Sequence, residues 1–222
     1  MTAVAIRTPK RDRGIEGAAA RYYAAGTGEM MHEFEELAQR IAGELPPGSA
    51  VLEVAPGPGY FCIELARRGS FTITGVDIRS AMVQIATGKA EAAGVTARFI
   101  QGSASNLPFP NDSFDFLLCR AAFKNFAQPV AALQQMCRVL KPGGRGMIID
   151  LKRNASPRAV SRYVDSMGLS TMNRIMTKLV FRTTLIRSAY TRQQFRQMLA
   201  QAGFSKTEIL ESEVGFEITM TK

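Results

Sequence analysis

The sequence predicts a doubly wound α/β domain: a mostly parallel, seven-stranded sheet covered on both faces, closed by an antiparallel C-terminal hairpin. Three observations carry this. From Ala50 to Leu151, short apolar runs of strand length alternate with helix-period segments, the pattern of βαβ crossovers. Glycine, proline or Asn-Asp turns separate these runs, so the alternation has punctuation as well as period. After Gly203, two β-type runs face each other across Val214-Gly215. Right-handed crossovers then wind the parallel strands into an open sheet.

The elements follow in order. Residues 29–44 carry Met30, Phe34, Leu37 and Ile41 at helical spacing and stop at Pro46-Pro47-Gly48. A buried strand is expected at Ala50–Ala55, then a helix at Tyr60–Arg68 ended by Gly69. A second strand spans Phe71–Val76, and Ser80 is the expected cap of a helix that stops at Gly94. Thr96–Gln101 is the third strand, and Phe114–Cys119 follows the turn Pro110-Asn111-Asp112-Ser113 as the fourth. Pro129 opens a helix to Leu140. Lys141-Pro142-Gly143-Gly144 reads as a turn before a fifth strand, Gly146–Leu151. Thr191 caps a helix to Ala202, and Thr207–Glu213 and Phe216–Thr221 form the hairpin.

Hydrophobic residues at 46% and charged residues at 21% match a globular protein, and no apolar run reaches the ~18 residues of a membrane span. No apolar stretch follows the basic start, so a secretory leader is not expected and the expected compartment is the cytoplasm. Cys62, Cys119 and Cys137 are widely spaced in apolar surroundings, as reduced core thiols are, and no metal site is expected. The net charge is +9, but it is local. Residues 1–13 hold four basic side chains against Asp12, and residues 152–192 hold nine against Asp165. A local anionic partner fits this better than nucleic acid. Residues 1–17 read as a flexible basic tail, and residues 18–222 as one domain with 152–190 as a helical insertion.

In a doubly wound sheet, ligands sit outside the carboxyl ends of the strands. The loop after the first strand reads Glu53-Val54-Ala55-Pro56-Gly57-Pro58-Gly59. Its glycines permit a sharp turn and close backbone approach; a plain strand-to-helix turn has the same composition. Cys62 stands where a dinucleotide fingerprint would have a small residue, and acidic Glu53 favours a ligand bearing a cation. The second strand ends in Gly75-Val76-Asp77, with Asp77 about 20 residues past Gly57, the spacing at which a carboxylate accepts ribose hydroxyls.

Four ordered pieces resemble the class I S-adenosylmethionine-dependent methyltransferases: Glu53–Gly59; Gly75–Asp77; Gly102–Phe109 with Ser113-Phe114-Asp115; and Arg138-Val139-Leu140-Lys141-Pro142-Gly143-Gly144. The sequence is similar in particular to the small-molecule group around the ubiquinone/menaquinone C-methyltransferases. The resemblance implies a Rossmann-like methyltransferase fold, S-adenosyl-L-methionine as cofactor and a small-molecule acceptor. It implies that Glu53 orients the methionine amine through water or backbone, and that Ala55, Gly57 and Gly59 allow close approach to methionine and sugar. Asp77 would bind the ribose, Ile78 would pack on the adenine, and Ser103 and Ala104 would face its edge. Arg120 and Ala121 would line the methionine tail. Two positions depart from the pattern. The family usually has Gly where Ala55 stands and Asp where Ser103 stands, so the adenine contact loses charge assistance.

Methyl transfer draws much of its rate from proximity, and a base is optional. Tyr22 and Tyr23 would cap the cofactor, or pack on a surface helix. His32 is the sole imidazole, and a surface role competes with a catalytic one. Lys124 and Asn125 follow the fourth strand and would hold an acceptor oxygen, or be solvated loop residues. In the insertion, Ser156-Pro157 opens a helix with Val160, Tyr163, Val164 and Met167 on one face. Gly168 breaks it, and Ser170 opens another with Met172, Ile175, Met176, Leu179 and Val180 on one face and Arg174, Lys178 and Arg182 on another. These apolar stripes are expected to close as a lid over the acceptor, with the basic face solvated or meeting an acidic substrate or an anionic membrane surface. The alternatives are a nucleotide- or lipid-directed methyltransferase and a non-catalytic cofactor-binding module.

Overall fold

Seven strands form one sheet in the order β3-β2-β1-β4-β5-β7-β6. The computed structural model describes residues 31–222; the expected tail of residues 1–17, the start of the first helix, Tyr22 and Tyr23 lie outside them. In chain order the elements are α1 (Met31–Glu44), β1 (Ala50–Val54), α2 (Tyr60–Ala66), β2 (Thr72–Asp77), α3 (Ser80–Ala92), β3 (Arg98–Gln101) and β4 (Phe114–Arg120). Then come α4 (Pro129–Val139), β5 (Leu140–Leu151), α5 (Pro157–Asp165), α6 (Thr171–Val180), α7 (Arg192–Leu199), β6 (Lys206–Glu211) and β7 (Gly215–Thr221). Strands β1 to β5 are parallel, and β7 runs antiparallel between β5 and β6.

Alternation along each strand buries both faces. Leu52, Val54, Leu117, Cys119 and Ile148 meet Leu133 and Met136 of α4 and Phe195 of α7. Val51, Phe116, Leu118 and Met147 meet Leu37 and Ile41 of α1, Phe61 of α2 and Ala86 of α3. All three cysteines are buried and unpaired. Among the described residues no helix is long and apolar enough to cross a membrane.

Two local expectations are corrected. Arg79, not Ser80, occupies the N-cap of α3, because the Asp77 carboxylate accepts the Arg79 N–H at 2.9 Å and starts the turn one residue earlier. Lys141–Gly144 is not a turn before β5 but a bulge within it. Leu140 pairs with Phe114, and the ladder resumes at Arg145 opposite Phe116. The Lys141 ammonium anchors the bulge on Asp115 at 2.8 Å, and Gly144 is needed there because an added Cβ would lie 2.8 Å from the Lys141 carbonyl oxygen.

The insertion forms the two expected helices, separated by Gly168 at φ +71°. Ser156 caps α5 by accepting the Ala159 N–H at 3.1 Å. Helix α6 continues through a π-helical turn (Phe181–Leu185) to Ser188. The two helices orient differently. Val160 and Val164 of α5 are buried, whereas α6 has no buried residue. Asp165 holds Lys178 at 2.7 Å and Arg174 at 3.6 Å. These pairs turn the cationic face of α6 toward α5 and leave its apolar stripe outward, against the expectation that the stripe packs on an acceptor pocket.

Candidate active site

Winding reverses between β1 and β4, so the connections leaving their carboxyl ends diverge and open a crevice. The β1 loop is built from left-handed residues: Ala55 (φ +58°), Gly57 (φ +54°) and Gly59 (φ +78°). Gly59 begins α2, and a Cβ there would lie 2.8 Å from the Phe99 ring. Ala55 is held in place by donating its N–H to the Val76 carbonyl at 2.7 Å. A Cβ in this region is strained by about 1 kcal/mol. Ala55→Gly is therefore expected to preserve cofactor affinity and leave stability unchanged or raised by up to about 1 kcal/mol; urea unfolding beside calorimetry checks both.

Asp77 ends β2 next to this loop. One carboxylate oxygen accepts the Gly57 N–H at 3.2 Å and the other accepts the Arg79 N–H at 2.9 Å, leaving acceptor capacity for hydroxyl groups. Burial raises its pKa, and those backbone donors oppose the rise. An apolar slot lies beside it between Val54, Ala55, Val76, Ile78, Gly102 and Ala104, closed by Phe126. Ser103 turns its hydroxyl to Ser105 Oγ at 2.9 Å.

Glu53 is 2% exposed. Its carboxyl pKa is pushed up to about 7 by burial, opposed by the Cys62 thiol, which donates at 3.0 Å, and by Arg120. A buried carboxylate with a thiol donor and, among the described residues, no direct cation partner suits an arriving ammonium group. The left-handed loop with Glu53 has the chemistry to meet an amino-acid head and Asp77 that to meet a ribose, whereas the slot, at about 30 Å³, is smaller than a purine as it stands. If Glu53 must be ionised to hold an amine, affinity for S-adenosylhomocysteine falls as pH drops below about 7, by at most tenfold per pH unit. Calorimetry between pH 6 and 8 checks this, and Glu53→Gln should flatten the profile. The stability sign is opposite. A folded pKa above the unfolded value favours folding below about pH 4.5, and that contribution is lost as pH rises to about 7. At pH 8, Glu53→Gln should therefore stabilise the empty protein by up to roughly 3 kcal/mol.

Beyond β4, Ala121 is also left-handed (φ +56°). Arg120 pairs with Glu33 of α1 and lies over the Phe34 ring at 4.2 Å. Both Arg120 and Ala121 face a cavity of about 680 Å³ at the carboxyl ends of β4 and β5. Leu37, Ile149, Leu151 and Phe216 give it apolar walls; Glu33, Arg40 and Arg120 give it polar groups; and Tyr163 of α5 closes one side. The Tyr163 hydroxyl has its pKa pushed up to about 12, by burial and then by Glu33, so it stays protonated.

Lys124 is buried. Its ammonium bonds Asp150 at 2.9 Å and the Ala121 carbonyl oxygen, which places it beneath the loop rather than in the cavity. Asn125 sits in the short 3₁₀ turn Phe123–Asn125. His32 is 81% exposed and pairs at 3.1 Å with Glu36, which is among the residues lining the cavity. Sequence reasoning missed Glu33, Arg40, Tyr163 as a cavity residue, and Asp150. Their roles rest on contacts between distant elements, and no local spacing signals them.

A family model for a methyltransferase domain matches residues 51–144. The chain is 42% identical over 107 residues to a demethylmenaquinone methyltransferase of Deinococcus radiodurans, covering 48% of this chain and 44% of that one. It is 29% identical over 174 residues to a ubiquinone/menaquinone biosynthesis C-methyltransferase of Francisella tularensis, covering 72% and 68%. The chain thus spans under half the length of the Deinococcus relative. A Methanococcus maripaludis structure named for S-adenosyl-L-methionine-dependent methyl transfer superposes with a TM-score of 0.77 at 20% identity, covering 96% of both chains. Fold, ordered motifs and these similarities agree: residues 51–144 match a methyltransferase domain, and the chain is similar to the class I S-adenosylmethionine-dependent methyltransferases.

Proposed function

We propose that this protein transfers a methyl group from S-adenosylmethionine to a small acceptor with an apolar body and a polar head, held in the cavity beside Tyr163. The observation that carries the reading is the junction at Arg120-Ala121. The crevice holding Glu53 and Asp77 and the 680 Å³ cavity lie along the same carboxyl edge of the sheet. A cofactor in the first and an acceptor in the second would meet there. The relatives named for quinone methylation support an acceptor of this kind.

When bound, the cofactor supplies an electrophilic methyl group on a sulfonium. The chain's part is to hold and orient. Glu53 would receive the amine, Asp77 the ribose, and Ile78, Ser103 and Ala104 the adenine. Gly57 and Gly59 keep side chains out of the way. On the acceptor side, Tyr163 remains protonated and would donate to an acceptor oxygen, while the apolar walls exclude water. In-line positioning then provides most of the rate. Helix α5 acts as the lid over this cavity, with residues 31–222 serving as one catalytic domain.

The test is methyl transfer from labelled S-adenosylmethionine to a panel of quinols, catechols and cell-extract acceptors. Label should enter an apolar small molecule. Tyr163→Phe should raise the acceptor KM several-fold and leave cofactor affinity unchanged. Normal cofactor binding with no label in any acceptor would point instead to a binding module without catalysis.

A further inference from the structure

Helix α6 is turned inside out. Met172, Ile175, Met176, Leu179 and Val180 share one face of it, and they are 71%, 59%, 54%, 53% and 44% exposed. The opposite face carries Arg174 and Lys178, both drawn toward Asp165 of α5. An ordinary surface helix does the reverse, burying the apolar stripe and presenting its charges. A contiguous exposed stripe of this kind marks a surface that meets something apolar.

The charge around the stripe says what that is. Residues 152–192 carry nine basic side chains and one acidic one. Asp165 takes two of the cations, and Glu211 and Glu213 take Lys152, Arg192 and Arg162. Arg158 is exposed. Arg182, also exposed, is held by the Ser161 hydroxyl at 2.9 Å and by a carbonyl oxygen, so no carboxylate of this chain neutralises it in those contacts. An apolar stripe on a segment with this excess of basic residues complements an anionic lipid surface, where side chains enter the acyl boundary and guanidinium groups meet phosphates. A second copy of this chain would bring the same positive charge to the contact and be repelled.

We propose that the α6 face docks the protein on the surface of an anionic bilayer, seating Met172, Ile175, Met176 and Leu179 at the headgroup–acyl boundary. The proposal rests on the reading that the acceptor has an apolar body, since docking brings the α5 side of the cavity to the membrane that would hold such a molecule. The contact is peripheral and reversible. It draws on four or five exposed apolar side chains plus salt-sensitive attraction.

The test is co-sedimentation of the full chain with vesicles of phosphatidylcholine alone or with 30 mol % phosphatidylglycerol, about the anionic fraction at which surface charge acts. Binding should appear with the anionic vesicles only and should weaken at least tenfold at high salt. The triple variant Met172→Gln, Ile175→Gln, Leu179→Gln should weaken it at least tenfold. It should keep wild-type affinity for S-adenosylhomocysteine, which shows that it folds. No sedimentation of the wild type with anionic vesicles at low salt overturns the proposal. So does equal sedimentation of wild type and variant, which would place the contact elsewhere. A dimer of the wild type that the variant dissolves, without vesicle binding, identifies a second copy as the occupant and also overturns it. Vesicle binding and methyl transfer are read separately, so failure of the methyl-transfer reading would appear as no label in any acceptor with docking intact.

Discussion

Asp77→Ala is expected to weaken S-adenosylhomocysteine binding by about 2–3 kcal/mol, roughly 30- to 150-fold. The carboxylate sits at the end of β2, each oxygen braced by a backbone amide, of Gly57 and of Arg79. Removing it would delete the proposed acceptors for the ribose hydroxyls and free the Gly57 N–H, so the loss would combine missing contacts with a looser loop. Asp77→Asn keeps one oxygen for bracing and should lose less. Calorimetry on all three proteins reads the effect, and circular dichroism confirms the fold. Unchanged affinity in Asp77→Ala would move the sugar site elsewhere.

Lys124→Met is expected to destabilise the protein by about 3–5 kcal/mol, the cost of leaving a buried charge without its partner. The Lys124 and Asp150 side chains are 4% and 1% exposed. Asp150 also accepts the Lys124 and Leu151 N–H groups, so it cannot swing out to water without abandoning them. The Lys124 ammonium additionally satisfies the Ala121 carbonyl oxygen, next to the left-handed residue between crevice and cavity. Pairing Lys124→Met with Asp150→Asn should recover more than half the loss, because a neutral amide can still accept one of the backbone bonds. Urea unfolding of the two single variants and the double variant measures the coupling. A single-variant loss below about 1 kcal/mol would mean that the pair is solvated.

The strand-helix alternation and the ordered loop motifs were legible because they are local. Gly57, Gly59 and Asp77 were singled out by spacing and Glu53 by its place in the strand and the family resemblance, and the structure brings them to one edge of the sheet through the β1–β2 register, Glu53 opposite Gly75. The Lys141–Gly144 segment was misread for a physical reason. Its composition is that of a turn, and only the pairing of Leu140 with Phe114 shows that the strand has already begun. Lys124 was open to two readings, an acceptor ligand or a solvated loop residue, because the sequence does not reveal that Asp150, near the end of the neighbouring strand, pairs with it in the interior. The α6 stripe was correctly identified as amphipathic, but its direction was not legible. That direction depends on Asp165, which joins Arg174 and Lys178 across a turn made by Gly168. Tyr163 gave no signal of its own beyond a place on the apolar face of α5.

The most direct test of the account is a calorimetric titration of the purified full chain with S-adenosylhomocysteine at pH 8, set beside the same titration with NAD. Glu53 is then ionised and Asp77 free to accept. Saturable, equimolar binding of S-adenosylhomocysteine and no measurable binding of NAD are expected, because Cys62 of α2 and the buried Glu53 carboxylate of β1, joined at 3.0 Å, stand beside the loop where a pyrophosphate would need open backbone and no negative charge. Saturable NAD binding, or no heat with S-adenosylhomocysteine across pH 6 to 8, would contradict it.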